Sequence, residues 1–374
     1  MAKKTAIVVG AGIVGMAAAR ALALKGYDVN VYERNLKSSG ASVRNFGMVW
    51  PIGQPAGKLY ERATRSRNCW KDIGDSGRLW YDPVGSLHLA YNKIEWQVLQ
   101  ELFESFKEEG RDVALLNIHD VFAKSGIAKK ENCLGGLYSR EELIIDPREA
   151  IAFLPEYFQA TLNIQFNWGK AVTSASSGYI TSGPEKFNAD VIFICSGSDF
   201  KTLYPGEFEK YPLTKCKLQM MRLMEDGSPR IGASLCGGLS LIHYPSFKAA
   251  SSLHELRQYY EKELPEYLKW GIHVMVSQNH LGHLTIGDSH EYGLSPDPFD
   301  KQYINELILK YLGQFTSLRN PKLIETWNGV YGKLTNTDSE IFYSPESGVY
   351  ILNGVGGTGM TMSFGLAEEV VNTL

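Results

Sequence analysis

The chain of 374 residues has little imbalance of charge, with 38 Lys and Arg against 41 Asp and Glu and a formal net charge of −3. That excludes a broad basic face for nucleic acid or an anionic membrane, so any anionic ligand must be held by a few local groups. Internal repeats, low-complexity stretches and Pro-rich linkers are missing, which argues against a string of independent modules. No segment reaches the ~20 apolar residues needed to cross a bilayer. Cysteine is scarce: Cys69, Cys133, Cys195, Cys216 and Cys236 are odd in number and form no C-x-x-C pair. They read as reduced thiols of a cytoplasmic protein, with no metal site implied. Lys3-Lys4, the apolar run and Ala21-Leu-Ala23 superficially resemble a secretory signal, but three glycines and Arg20 interrupt it.

What the chain does have begins at Thr5-Ala-Ile-Val-Val9, which runs into Gly10-Ala11-Gly12-Ile13-Val14-Gly15, then a helix-like stretch, then Val29-Asn-Val-Tyr32 and Glu33-Arg34. This is the pattern of a dinucleotide-binding βαβ unit. Gly10 allows the tight turn, Gly12 lets backbone approach a pyrophosphate, and Gly15 lets helix lie close to strand, with phosphates on N–H groups at the helix N-terminus. Glu33 stands where an acid accepts hydrogen bonds from an adenosine ribose. The same fingerprint serves nicotinamide dehydrogenases and non-catalytic dinucleotide-binding proteins, and both remain open at this point.

The length exceeds the ~250–300 residues of one compact core, so two packed domains are expected. Polar, glycine-punctuated Gly40–Gly47 reads as a loop on the cofactor, with Ala41, Ser42, Arg44, Asn45, Phe46, Gly47 and Met48 as contacts. Helices are expected from Pro55 to about Ile73, from about Ile94 to Glu109, and from Pro147 behind an Asp146 cap. Ala189–Gly197 is an apolar run bounded by glycine, the mark of a strand buried on both faces, and its carboxyl edge offers Cys195, Ser196 and Gly197 to a ligand. Alternating strands follow at Lys217–Leu223, Leu239–Tyr244, His273–Val276 and His283–Ile286, as in an antiparallel sheet facing a cavity. Gly348–Leu352, a loop holding Gly354, Gly356, Gly357, Thr358 and Gly359, and a helix starting near Met360-Thr361 close the chain. The fold class is therefore α/β: a Rossmann-like cofactor domain on a parallel sheet (1–85, 145–210 and 322–374) and a substrate domain on a mostly antiparallel sheet with helices (86–144 and 211–321).

The N-terminal GAGIVG with Glu33, the middle ADVIFICSG and the terminal GVGGTGMT together resemble the D-amino-acid oxidase, glycine oxidase and sarcosine oxidase superfamily. Within it, the stretch from Gly40 to Pro55 resembles the branch associated with phosphonate breakdown. The resemblance implies FAD as cofactor and a small amine as substrate, best matched by an aminophosphonate related to 2-aminoethylphosphonate, oxidised by hydride transfer to flavin N5 with oxygen as acceptor. Glycine, sarcosine or a D-amino acid is the alternative substrate. It further implies that Val172 passes the adenine. Independently, glycines at 354, 356, 357 and 359 would let backbone approach a flat ring, with the helix N-terminus stabilising anionic reduced flavin.

On the substrate side the chain departs from these relatives. Where glycine oxidases carry an arginine after Trp-x-Gly, Trp327-Asn-Gly-Val-Tyr331-Gly-Lys333 places a tyrosine, and the terminal loop holds Gly357 and Thr358 where relatives have a basic residue. Candidate donors to a phosphonate are Arg44, Lys215, Lys217, Arg222, Tyr331 and Lys333, each of which could equally be a solvated surface charge. His243-Tyr244 and His283 through His290 fall where the antiparallel sheet faces the flavin, and Thr285 stands where sarcosine oxidases carry a lysine that helps oxygen react. His290 is a substrate-contact candidate or a satisfied polar imidazole. Trp50, Tyr244, Trp327 and Tyr331 are expected as aromatic walls that favour the neutral amine.

Overall fold

Strand Thr5–Val9 is apolar on both faces because it lies inside a parallel sheet, pairing with Asp28–Glu33 on one side and Val191–Ile194 on the other. The computed structural model describes residues 3–225 and 230–374. Residues 1–2, at the head of the expected cofactor segment, and 226–229, in the expected substrate segment, lie outside the described residues. The sheet order is Ile341–Glu346, Val349–Asn353, Val191–Ile194, Thr5–Val9, Asp28–Glu33 and Gln165–Trp168, all parallel except the first, antiparallel pair. Ala6 and Val8 join one core with helices Ile13–Leu24, Pro147–Leu162 and Gly359–Asn372, while Ile7 and Val9 join another that includes Ile180 of a small three-stranded sheet.

Helix Ile13–Leu24 needs little beyond its composition: Ala, Met and Leu carry high helical propensity, and Met16, Ala17, Ala18 and Leu22 are buried. Helices Lys58–Ile73 and Lys93–Glu108 stand where expected, and the Asp146 carboxylate accepts from Arg148 N to cap Pro147–Leu162.

The second sheet runs Glu291–Tyr292, Leu213–Met224, Leu284–Gly287, Met275–Gln278, Ser234–Cys236, Ser86–Ala90, Gly135–Ser139 and Val113–Leu116. Strand Lys322–Leu334 pairs with the whole of Leu213–Met224, so the segment expected to open the last cofactor portion belongs by hydrogen bonding to this sheet. Its far end returns to the first layer through a bridge between Lys333 and Val355. The strand expected at Leu239–Tyr244 is instead a 3₁₀ turn, Gly238–Ile242. There the Ser240 hydroxyl donates to the Gly237 carbonyl and Leu239 N donates to the Tyr311 hydroxyl, so local and tertiary bonds replace a ladder.

Glu142 ties the layers together: it accepts from Ile52 N at 3.0 Å and from the Ser86 hydroxyl at 2.9 Å. Full burial pushes its carboxyl up to about 7. The folded state then binds a proton the unfolded chain has released, so this group's contribution falls as pH rises from about 4.5 to about 7. Glu142→Gln is expected to leave stability unchanged at pH 5 and to raise it at pH 8 by about 3 kcal/mol. Denaturant melts at the two pH values check this; an equal effect at both would contradict the protonation argument.

Candidate active site

A cavity of about 960 Å³ lies where the two sheets meet. Gly10, Gly12, Ile13 and Val14 of the first turn, Glu33 and Arg34 after the second strand, and Ala41, Ser42, Arg44, Asn45, Phe46 and Met48 of the following loop face it. So do Val172, Cys195, Ser196 and Gly197, and the terminal run Gly354, Gly356, Gly357, Thr358, Gly359, Met360 and Thr361. Three stretches distant in sequence thus share one cavity.

The first turn is built on close approach. Gly10 has φ +102°, and a Cβ there would strike the Cys195 carbonyl; a Cβ on Gly15 would strike the Gly10 carbonyl. Ser42 Oγ accepts from Ile13 N at 3.0 Å and Glu33 Oε2 accepts from Ala11 N at 3.0 Å, while Glu33 Oε1 accepts from Asn35 N at 3.0 Å. Glu33 therefore fixes the turn as well as facing the cavity. At the other end Gly354 (φ +73°) and Gly356 (φ +59°) shape the loop ahead of helix Gly359–Asn372, and the Tyr331 hydroxyl lies 3.2 Å from where a Gly357 Cβ would stand. Bare backbone at both ends of one large cavity, with a helix starting at each, is a cradle that a flavin dinucleotide fits.

Three expected cofactor residues do not face the cavity. Ala11 is buried with its N–H committed to Glu33, Gly15 sits behind Gly10, and Gly47 (φ +73°) turns the chain against Ile145. Their roles are to shape the turns. Trp327 is also displaced from its expected place in the wall: its indole N–H donates to the Arg44 carbonyl at 3.2 Å and its ring lies beneath Arg148 and Arg222.

Most candidate cations are already engaged. Lys217 holds a loop through the Asp297 carbonyl and the Asp300 carboxylate; Arg222 lies buried 3.7 Å from Asp146; Lys215 lies over the Phe200 ring. None of the three faces the cavity, nor do His283 and Thr285. Arg44 does, but its guanidinium donates to the Ser39 and Asn328 carbonyls. Arg34 pairs with Asp199 at 2.6 Å. Lys333 remains: it faces the cavity beside Tyr331, and its ammonium donates to the Tyr292 hydroxyl at 3.2 Å rather than to a carboxylate. Burial holds the Tyr331 phenol well above its ordinary range.

Trp50, Tyr244 and His290 face the cavity as expected. Sequence reasoning did not single out two neighbours, His273 and Asp288. His243, His273 and His290 converge with ring nitrogens within 4.8 Å of one another, although nothing in their spacing announces it. Burial holds the His273 and His290 imidazoles below their ordinary pKa, His290 at about 4, while His243 is exposed. The same burial drives the Asp288 carboxyl well up.

Comparison with known proteins places this arrangement. Residues 5–373 match the DAO family, FAD dependent oxidoreductase. The chain is 27% identical over 251 residues to the tRNA 5-methylaminomethyl-2-thiouridine biosynthesis bifunctional protein MnmC of Saccharophagus degradans, covering 63% of this chain and 34% of that protein. It therefore spans about a third of that relative's length. Glycine oxidase from Bacillus cereus ATCC 14579 superposes with TM-score 0.79 at 15% identity, over 99% of this chain and 94% of that one. L-alpha-Glycerophosphate Oxidase from Mycoplasma pneumoniae, with FAD bound, gives 0.74 at 16% identity over 100% and 96%. At these identities the structural likeness speaks for the fold. No helix among the described residues is long and apolar enough to cross a membrane.

Proposed function

We propose, from the premise that this chain belongs to the DAO family of FAD-dependent oxidoreductases, that it oxidises a small amine bearing a phosphonate, related to 2-aminoethylphosphonate. FAD supplies the two-electron acceptor. The protein's own residues do the rest: the glycine turns and Ser42 fix the cofactor, and Trp50, Tyr244 and Met275 wall the substrate side with apolar surface that excludes water. Excluding water favours the neutral amine and aligns its C–H for hydride loss. The resulting imine hydrolyses to an aldehyde and ammonia or a smaller amine.

The observation that carries the substrate reading is the group around Tyr331. A guanidinium fork serves carboxylates and phosphonates alike, but an ammonium acts as a point charge, and a phosphonate offers it and neighbouring hydroxyls three oxygens where a carboxylate offers two. Lys333, Tyr292 and Tyr331 provide an ammonium and two phenols on one cavity wall, with no arginine among them. Steady-state turnover of 2-aminoethylphosphonate and its N-methyl derivative beside glycine and sarcosine tests this. The phosphonates are expected to exceed the carboxylates in kcat/KM by at least ~10-fold, the effect of one charge-assisted hydrogen bond of about 1.5–3 kcal/mol. Turnover confined to the carboxylates would favour the ordinary amino-acid reading.

A further inference from the structure

We infer that Asp288, with His273 and His290 beside it, forms the subsite that takes the substrate's ammonium group and accepts its proton before hydride loss. The inference rests on the amine-oxidation reading above and supplies a catalytic base for it.

Asp288 follows strand Leu284–Gly287, and its backbone exchanges hydrogen bonds with His273, at 2.9 and 3.2 Å. Its side chain is 6% exposed and the residue faces the cavity. One oxygen is 3.1 Å from His273 Nε2 and the other 3.9 Å from His290 Nε2. His290 Nδ1 lies 2.9 Å from the Gly271 carbonyl, which can only accept, so that nitrogen carries the proton and Nε2 presents a lone pair. Asp288 Oδ1 and both His273 ring nitrogens have no well-aligned hydrogen-bond partner among the described residues. Neutral His273 has one N–H and one lone pair, so the corner's unsatisfied acceptors are Asp288 Oδ1 and one His273 nitrogen, with His290 Nε2 beside them, and a buried acceptor left unmade is costly. A guest that satisfies it brings several N–H groups and positive charge. An alkylammonium has both.

The other groups facing Asp288 define its electrostatics. His243 lies with its ring centroid 3.8 Å from that of His273 and 4.9 Å from that of His290. Tyr244, Tyr292, Tyr331 and Cys216 surround the carboxylate, and Lys333 is the cation whose field reaches the three imidazoles. An arriving ammonium meets Asp288 beside the His290 Nε2 lone pair, and its positive charge favours the ionised carboxylate, which then takes the proton. In the step itself one N–H bond breaks and one O–H bond forms on Asp288. The electron pair stays on nitrogen and no redox change occurs. The free amine is then in the form that bound FAD would oxidise, and Asp288 returns its proton to water when the product leaves. Lys333 and the phenols hold the anionic end of the same molecule, so the two ends of a zwitterion meet groups of opposite sign.

Kinetics of anaerobic flavin reduction against pH test this. In the wild type, kcat/KM is expected to reach a flat profile well below the amine's own pKa, because Asp288, once ionised, removes the proton itself. Asp288→Asn is expected to keep its flavin and to lose ~10²–10⁴-fold near neutrality. Its remaining activity should rise about tenfold per pH unit, since it must wait for free amine, and Asp288→Glu should restore the flat profile. A wild-type profile that already climbs tenfold per unit would overturn the inference even if the asparagine variant does not fold. An asparagine variant with the wild-type profile would overturn it too, as would activity lost to a chelator and restored by zinc, which would put a metal cation in the acceptor corner. Any amine that reduces the flavin serves for this measurement. Reduction by glycine or sarcosine alone would sink the phosphonate reading and leave the base in place; reduction by no amine would sink both.

Discussion

Gly15→Val is expected to yield a folded but colourless protein. Every atom that valine adds at this position has to go where the Gly10 carbonyl already lies, and Cys195 Cβ closes the other side at 3.4 Å. Backbone cannot yield as a flexible side chain does, so helix Ile13–Leu24 must lift from strand Thr5–Val9. Overpacking of this kind costs about 1–3 kcal/mol, which a two-domain fold of this size survives. The cofactor site does not. Lifting the helix breaks the 3.0 Å bonds from Ile13 N to Ser42 and from Ala11 N to Glu33, and it moves the N-terminal N–H groups that are to meet the pyrophosphate. FAD affinity should fall at least ~100-fold, read as the ratio of visible flavin absorbance to protein absorbance after purification, with equilibrium dialysis against added FAD. Gly206→Ala, where an added Cβ meets nothing within 4 Å, is the control and should stay fully yellow. A yellow Gly15→Val protein with wild-type occupancy would show that the turn does not seat the cofactor.

The legibility of this site divides along the same physical line. The tight turn at Gly10 and Gly15 and the placement of Gly12 and Glu33 at the cavity were readable because they are set by backbone conformation and short spacing, which a sequence displays directly. The terminal glycines at 354, 356, 357 and 359 were readable for the same reason. What resisted reading depends on register between distant strands. His273 and Asp288 face each other only because Met275–Gln278 pairs with Leu284–Gly287, and His243 joins them from a 3₁₀ turn whose apolar alternation imitates a strand. Trp327 shares strand Lys322–Leu334 with Tyr331 and Lys333, so alternation alone puts all three on one face. Trp327 nevertheless sits past the edge of the cavity, where the Arg44 carbonyl takes its N–H. The cations were the hardest to rank. A lysine in sequence does not show its partner, and only the fold shows that Lys217 and Arg34 are already paired while Lys333 meets a phenol.

Lys333→Met is accordingly expected to cost more in substrate binding than any other single change of a cavity cation. Methionine keeps most of the apolar stem and removes the charge, so the strand should be undisturbed, the more so because residue 333 is anchored by its backbone bridge to Val355. Lys333 is half-buried, and losing one charge-assisted hydrogen bond costs about 1.5–3 kcal/mol, or roughly 10- to 150-fold. The loss should fall mainly on KM, because the anionic end of the substrate is held equally in the ground state and in the transition state. Flavin content should stay at the wild-type level. An uncharged amine of the same length, which never had the contact, should be oxidised by variant and wild type at similar rates. Tyr331→Arg makes the complementary test: a guanidinium fork on the same wall, where glycine oxidases are expected to carry arginine, should raise kcat/KM for glycine and sarcosine. If Lys333→Met leaves KM for 2-aminoethylphosphonate unchanged, the anion is held elsewhere in the cavity, and Arg44 would have to exchange its two carbonyl partners for the substrate.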